Sequence, residues 1–133
     1  MTTLFGITKL DTSYKEGPDS TFSHDGKEYS VDKVLALIRK KKLEPVELRT
    51  DKDHLGWILF EKTEQGEYVK DILDPDRMDK ADTSIPVIVI KSKKYGLVIV
   101  DGTHRLYKAY FIEKKKKLPS YLLTDEEIKD CLA

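Results

Sequence analysis

The sequence lacks most of the features that mark specialised protein classes. It contains one cysteine, Cys131, so neither an intrachain disulfide nor a thiolate metal cluster is expected. No apolar run approaches the ~20 residues of a membrane span. Residues 1–6 lack the basic and apolar segments of a signal peptide. We therefore expect a reduced, soluble, cytoplasmic domain with no membrane partner.

An excess of charge of one sign is also missing. The 24 lysines and arginines balance 24 aspartates and glutamates in a chain of 133 residues. A protein that coats DNA needs surplus cations to displace counterions, so nucleic acid is not the favoured partner. The overall balance does not exclude local basic patches. Aromatic residues are present: four Phe, seven Tyr and one Trp exclude a disordered polyelectrolyte, and the length predicts one domain.

The hydrophobic pattern predicts an α+β fold, with a compact mixed sheet and helices packed around it. Asp25-Gly26 lies between two short alternating runs and predicts a tight hairpin. The predicted strands are 4–10, 45–49, 85–90, 97–100 and 119–123, and the predicted helices follow Ser30, Asp74, Gly102 and Thr124. Strands and helices are mixed rather than strictly alternating, which favours this class. We expect one domain over residues 1–133, with a core over about 30–132 and an N-terminal strand and hairpin extension over 1–29.

The residues best suited to ligand binding or catalysis are Asp101-Gly102-Thr103-His104-Arg105, where a predicted buried strand ends and a helix begins. The first N–H groups of a helix have no partner within it and suit a phosphate. Gly102 permits close approach of a ligand, Thr103 adds a hydroxyl donor, and Arg105 offers a planar fork of donors. His104 either donates a hydrogen bond or moves a proton near neutral pH. Asp101 either holds His104, binds Mg²⁺ or takes a proton from a hydroxyl.

The same five residues also have a purely structural interpretation. Asp101 then caps the helix, and His104 and Arg105 belong to a buried hydrogen-bond network. The two interpretations differ for Arg105→Ala, which removes ligand binding in the first case. In the second case it destabilises the domain by roughly 3–5 kcal/mol. The G-K-[ST] of a P-loop and the G-x-G-x-x-G of a dinucleotide fold are both absent.

Residues 85–123 resemble the ParB/sulfiredoxin superfamily. The resemblance lies in I-P-V-I-V-I at 85–90, D-G-T-H-R-L-Y-K-A at 101–109 and L-P-S-Y-L-L at 118–123, in the order strand, motif, helix, strand. It covers residues 68–132 well and 30–67 loosely. It implies the mixed-sheet fold of that superfamily and a phosphate-binding site at the motif.

The resemblance also implies roles for single residues. In sulfiredoxins the motif binds ATP phosphates and the residue before the His is the catalytic cysteine; Thr103 stands here, so sulfiredoxin activity is not expected. ParB proteins bind CTP through a related site. Free serine kinases use a similar D-G-x-H-R motif with a second acid elsewhere. That likeness makes Asp101 and His104 candidate catalytic residues, with Glu47 as the candidate second acid.

These observations predict a domain that binds a nucleotide or another phosphorylated small molecule. Gly102, Thr103, His104 and Arg105 would hold phosphate, and Asp82, just before the first buried strand, would face the same cleft. The ligands expected are ATP, ADP or CTP with Mg²⁺, and the chemistry, if any, is phosphoryl transfer or nucleotide hydrolysis. The alternative is a non-catalytic protein- or nucleic-acid-binding module with a vestigial site.

The isolated histidines and the lysine run are interpreted as ordinary surface features. His24 and His54 stand alone in polar turns without metal-ligand spacing, so we expect surface positions and no metal site. Lysines 114–117 are interpreted as the solvated end of a helix, because no interleaved aromatic residue follows them immediately.

Overall fold

The computed structural model describes residues 21–63 and 65–133. The strands are β1 (Thr21–His24), β2 (Lys27–Ser30), β3 (Val46–Arg49), β4 (Val87–Ser92), β5 (Gly96–Asp101) and β6 (Lys117–Thr124). The α-helices are α1 (Val31–Lys41), α2 (Pro75–Lys80), α3 (Thr103–Tyr107) and α4 (Asp125–Ile128). Turns of 3-10 helix cover Leu55–Phe60 and Val69–Asp71, and a π-helical turn, Lys108–Ile112, continues α3. The fold class is α+β, as predicted.

The main sheet is mixed and has the strand order β3-β6-β4-β5. β4 pairs with β6 in parallel and with β5 antiparallel, and β3 pairs antiparallel with β6. The predicted hairpin of two apolar strands is confirmed as β4 and β5. Its register shifts between Ile88 and Val89, which sets Asp101 opposite Ile88. A register shift of this kind bends the strand locally. On β5 the shift lies immediately before Asp101, the first residue of the motif.

Both faces of the main sheet are covered. Val87 and Val89 belong to a core with the 3-10 helix at Leu55–Phe60 and with Leu106 of α3. Ile88 and Ile90 belong to a second core, which the β1–β2 hairpin, α1 and α4 complete. A central strand buried on both faces needs apolar residues at every position. This explains the continuous apolar run that the sequence shows at 87–90.

The β1–β2 hairpin is part of this second core, which corrects the expectation of an extension outside the core. Phe22 and Tyr29 are buried there, with ring centroids 5.4 Å apart. The Ser30 amide also donates to the Cys131 carbonyl at 2.8 Å, so the hairpin is tied to the C-terminal segment. His24, expected at the surface, is only 2% exposed and lies 2.7 Å from Asp125.

The helix starts that the sequence predicts are confirmed. Ser30 and Asp74 accept backbone N–H groups of α1 and α2, and Thr124 forms the predicted capping box with Glu127. The strand expected at 4–10 lies outside the described residues. No helix in the described ranges is both long and apolar enough to cross a bilayer.

Candidate functional site

Gly102 joins β5 to α3 in the left-handed region, with φ of +109°. A Cβ at this position would lie 2.4 Å from Cγ1 of Val87 and 3.2 Å from Cζ of Arg105. The space on the Cβ side of Gly102 is therefore filled by the protein itself. The glycine is needed here for its positive φ and for the contact with β4. Close approach of a ligand to the Gly102 backbone stays a prediction.

Thr103 begins α3 and is also removed from solvent. The residue is 1% exposed, and its hydroxyl has no hydrogen-bond partner within the described part of the chain. The expected donor role of Thr103 stays a prediction.

Arg105 fixes the segment that leads into β4. Its Nη1 donates to the carbonyls of Ile85 at 3.1 Å and Pro86 at 2.8 Å, and its Nη2 donates to Oδ2 of Asp101 at 3.1 Å. The side chains of Arg105 and Asp101 are 14% and 9% exposed. The ion pair is thus largely shielded from water, and the Asp101 carboxylate holds the guanidinium in place.

His104 ties α3 to the start of α2. Its Nε2 accepts the backbone N–H of Asp74 at 3.0 Å, and the residue is buried. An accepting Nε2 carries no proton, so the neutral ring holds its proton on Nδ1. Proton transfer through Nε2 would break this bond. Through this bond His104 positions the start of α2, and its expected role in proton transfer stays a prediction.

Asp82 lies in the turn before β4. Its Oδ1 accepts the Ser84 hydroxyl at 2.6 Å and the Ser84 amide at 3.0 Å. These bonds, first from the hydroxyl and then from the amide, lower the pKa of Asp82 and outweigh the opposing effect of desolvation. The side chain stays ionised, which suits contact with a cation rather than proton abstraction.

Glu47 lies far from this group. It is exposed in β3 and pairs with Pro119 of β6, whereas Asp101 ends β5 at the opposite edge of the sheet. Two strands separate β3 from β5, a distance of about 14 Å at the usual strand spacing. Glu47 therefore cannot serve as the second acid beside Asp101, and that expectation is corrected.

A cleft of about 370 Å³ lies between α2 and the start of α3. Arg77 and Lys80 of α2 line it together with Asp82, His104 and Arg105. Three of these five side chains carry a permanent positive charge and one carries a negative charge. With Asp101, which is bonded to Arg105, the cluster has a net charge of +1, so the electrostatic potential favours an anion. We call this site the α2–α3 cleft.

Sequence reasoning missed Arg77 and Lys80. The signal was present: Asp74-Pro75 predicts a helix start, and residues three apart on a helix share a face. What the sequence does not give is which face turns toward the D-G-T-H-R motif. Lys108 settles this by donating to the carbonyls of Asp79 at 3.1 Å and Ala81 at 3.0 Å, which holds the C-terminal end of α2.

The carboxylates near the cleft fit Mg²⁺ only as part of a metal–phosphate complex. No group of three or more His, Cys, Asp or Glu side chains suited to a metal occurs within residues 21–63 and 65–133. Mg²⁺ keeps several waters and is commonly held by one or two carboxylates and by substrate phosphates. Asp82 is the carboxylate in the cleft lining that fits this arrangement.

Comparison with known proteins gives no match: no family model, no curated protein and no solved structure matches this chain.

Proposed function

We propose that the α2–α3 cleft binds the phosphate groups of a nucleotide or another phosphorylated small molecule. The observation that carries the proposal is the convergence of Arg77, Lys80 and Arg105 on one cleft with a single carboxylate. A concave site with low-dielectric walls concentrates the field of such a cluster. The resemblance of residues 101–109 to the ParB/sulfiredoxin motif supports the same ligand class.

The three cations have different roles in this proposal. Lys80 is exposed in the last turn of α2 and has no ion-pair partner in the described chain, so its ammonium group can turn to a phosphate. Arg77 lies three residues earlier, lines the same cleft and adds positive charge to it. Arg105 keeps its bonds to Asp101 and the two carbonyls and contributes charge at the floor of the cleft.

Phosphoryl transfer or nucleotide hydrolysis is the chemistry that such a site supports best. Positioning and charge neutralisation supply most of the catalysis in these reactions. Bound Mg²⁺ supplies additional positive charge at the phosphates, and Asp82 would hold it. Asp101 acts here as a positioning residue, because its carboxylate keeps Arg105 against the start of β4.

A calorimetric titration with ATP, ADP and CTP, each with and without Mg²⁺, tests the proposal. We expect at least one of them to bind more tightly than about 1 mM, which corresponds to about −4 kcal/mol. Lys80→Glu should weaken that binding at least about tenfold, or about 1.4 kcal/mol.

Lys40→Glu is the matched control. Lys40 is an exposed lysine in the last turn of α1, on the other side of the sheet, so its reversal changes the net charge equally and leaves the cleft intact. Absence of binding for all three nucleotides contradicts the proposal. An equal loss of affinity in both variants contradicts it as well, because it assigns the binding to overall charge.

A further inference from the structure

A second concave surface lies at the other end of the helical segment that α3 begins. It is a groove of about 630 Å³ lined by residues 49–51, Tyr110 and lysines 114–117. We call it the lysine groove. Its lining carries five cations and one carboxylate, whereas the whole chain has a net charge of zero. The groove therefore carries a local excess of positive charge.

Much of that charge is not neutralised. Lys114, Lys116 and Lys117 are exposed and have no ion-pair partner within the described part of the chain. Arg49 is bonded to Asp51, and Lys115 is bonded to Thr83 at 2.8 Å and lies 3.3 Å from Glu113. Three ammonium groups are thus available to an anionic partner, and the one arginine fork in the groove is already used.

The backbone that carries these lysines is fixed. Lys114 adopts a left-handed conformation with φ of +56°, which reverses the chain after the π-helical turn. The Thr50 amide donates to the Lys116 carbonyl at 3.0 Å, and its hydroxyl donates to the Lys115 carbonyl at 2.8 Å. Arg49 and Lys117 then pair across β3 and β6. The run is therefore anchored to the sheet edge and is not the free end of a helix.

An aromatic ring belongs to the same groove. Tyr110 is half-buried, and its ring meets Phe60 at 5.8 Å and Phe111 at 4.8 Å, both edge to face with interplanar angles of 72°. These contacts hold the ring in one orientation. The sequence interpretation missed it because the aromatic residue precedes the lysines by one helical turn instead of following them.

We propose that the lysine groove binds single-stranded nucleic acid with little sequence preference. Lysines along a groove neutralise successive phosphates, and a fixed aromatic ring stacks on an unpaired base. A duplex keeps its bases stacked inside and cannot use Tyr110 in this way. Lysine is a point charge without the bidentate geometry that reads base edges, so sequence readout is not expected.

The proposal is independent of nucleotide binding in the α2–α3 cleft, because the two sites share no lining residue. Fluorescence anisotropy with a labelled 20-nucleotide oligo-dT and with a hairpin duplex tests it. We expect the single strand to bind at least tenfold more tightly than the duplex. With three phosphates neutralised, the logarithm of the affinity should fall with the logarithm of salt concentration with a slope of about −2.

Variants locate the contact. Lys116→Glu/Lys117→Glu should weaken binding at least tenfold, whereas Lys40→Glu/Lys42→Glu, with the same change of net charge at the end of α1, should not. Tyr110→Leu should weaken binding about fivefold or more by removing base stacking. Lys114→Asn should reduce the steepness of the salt dependence, and it serves as a test even if the double variant is unstable. Asparagine suits the left-handed backbone at this position.

Several results would overturn the proposal. One is equal weakening by the two double lysine variants, and another is equal affinity for single strand and duplex. Unchanged binding by Tyr110→Leu is a third. Loss of oligonucleotide binding in Lys80→Glu but not in Lys116→Glu/Lys117→Glu would move the contact to the α2–α3 cleft and also overturn it.

Discussion

At the residue scale, the D-G-T-H-R motif mainly makes packing contacts and hydrogen bonds within the protein. Gly102 lies against Val87, and the Thr103 hydroxyl is buried. Arg105 donates hydrogen bonds to Asp101 and to two backbone carbonyls. The residue types that suit a phosphate also suit a tight connection between a strand and a helix. Local sequence cannot distinguish the two uses, because the difference depends on where the preceding strand runs.

Substitution of Gly102 by alanine should be strongly destabilising. The added Cβ would overlap Val87 and the backbone would keep its positive φ, so we expect a loss of about 3 kcal/mol or more in the free energy of unfolding. Gly96→Ala is the control, since Gly96 also has a positive φ but no atom of residues 21–63 or 65–133 lies within 4 Å of the added Cβ. It should cost about 1–2 kcal/mol. Urea denaturation measures both, and equal losses would contradict the steric argument.

Thr103→Val should stabilise the protein by about 1 kcal/mol, because valine has the same shape and removes a buried hydroxyl that has no partner among the residues the structure describes. The nucleotide affinity should not change. Thermal unfolding and calorimetry of the same variant measure the two quantities. A clear loss of nucleotide affinity would show that the hydroxyl reaches the ligand, as the sequence alone suggests.

At the element scale, α2 and α3 form the cleft because polar contacts hold them at both ends. His104 accepts from the first residue before α2, Lys108 caps its last carbonyls, and Arg105 holds the chain entering β4. Capping signals and apolar runs were enough to predict α1, α2, the β4–β5 hairpin and α4. The 3-10 turn at Leu55–Phe60 and the burial of His24 depend on contacts with distant segments and left no local signal.

Arg105→Ala should therefore lower stability as well as ligand affinity. Removing the guanidinium leaves Asp101 without this partner in a shielded position, and we expect a loss of roughly 3–5 kcal/mol in the free energy of unfolding. Arg39→Ala, at an exposed position near the end of α1, should change it by less than about 0.5 kcal/mol. A stable Arg105→Ala variant that only loses nucleotide binding would contradict the positioning role.

At the scale of the whole molecule, the two cores are joined by the central sheet, and the hairpin closes one of them. His24 of β1 lies 2.7 Å from Asp125 at the start of α4, and the Lys93 amide donates to the same carboxylate at 3.1 Å. The Asp125 side chain thus links the hairpin, the β4–β5 turn and the C-terminal helix. The sequence predicted these three elements separately but not their common contact, because the residues concerned are far apart along the chain.

Acid should weaken the protein through this contact. Burial alone would raise the pKa of Asp125, but hydrogen bonds from His24, the Lys93 amide and Ser92 outweigh it, and the pKa lies below its ordinary value of 3.8. A lowered folded-state pKa adds stability that is complete above the unfolded value and disappears as the pH falls through the folded value. Asp125→Asn should reduce the loss of stability below pH 3.8 relative to Asp130→Asn, measured by urea denaturation across pH. Identical pH profiles would contradict the assignment.

The central claim is that the α2–α3 cleft receives the phosphate groups of a ligand. An NMR titration of the ¹⁵N-labelled protein with ATP tests it most directly, since every backbone amide reports separately. We predict that shift changes concentrate at Arg77, Lys80, Asp82 and Arg105, and disappear in Lys80→Glu. Changes confined to the lysine groove, or no changes at millimolar ATP, would contradict the claim.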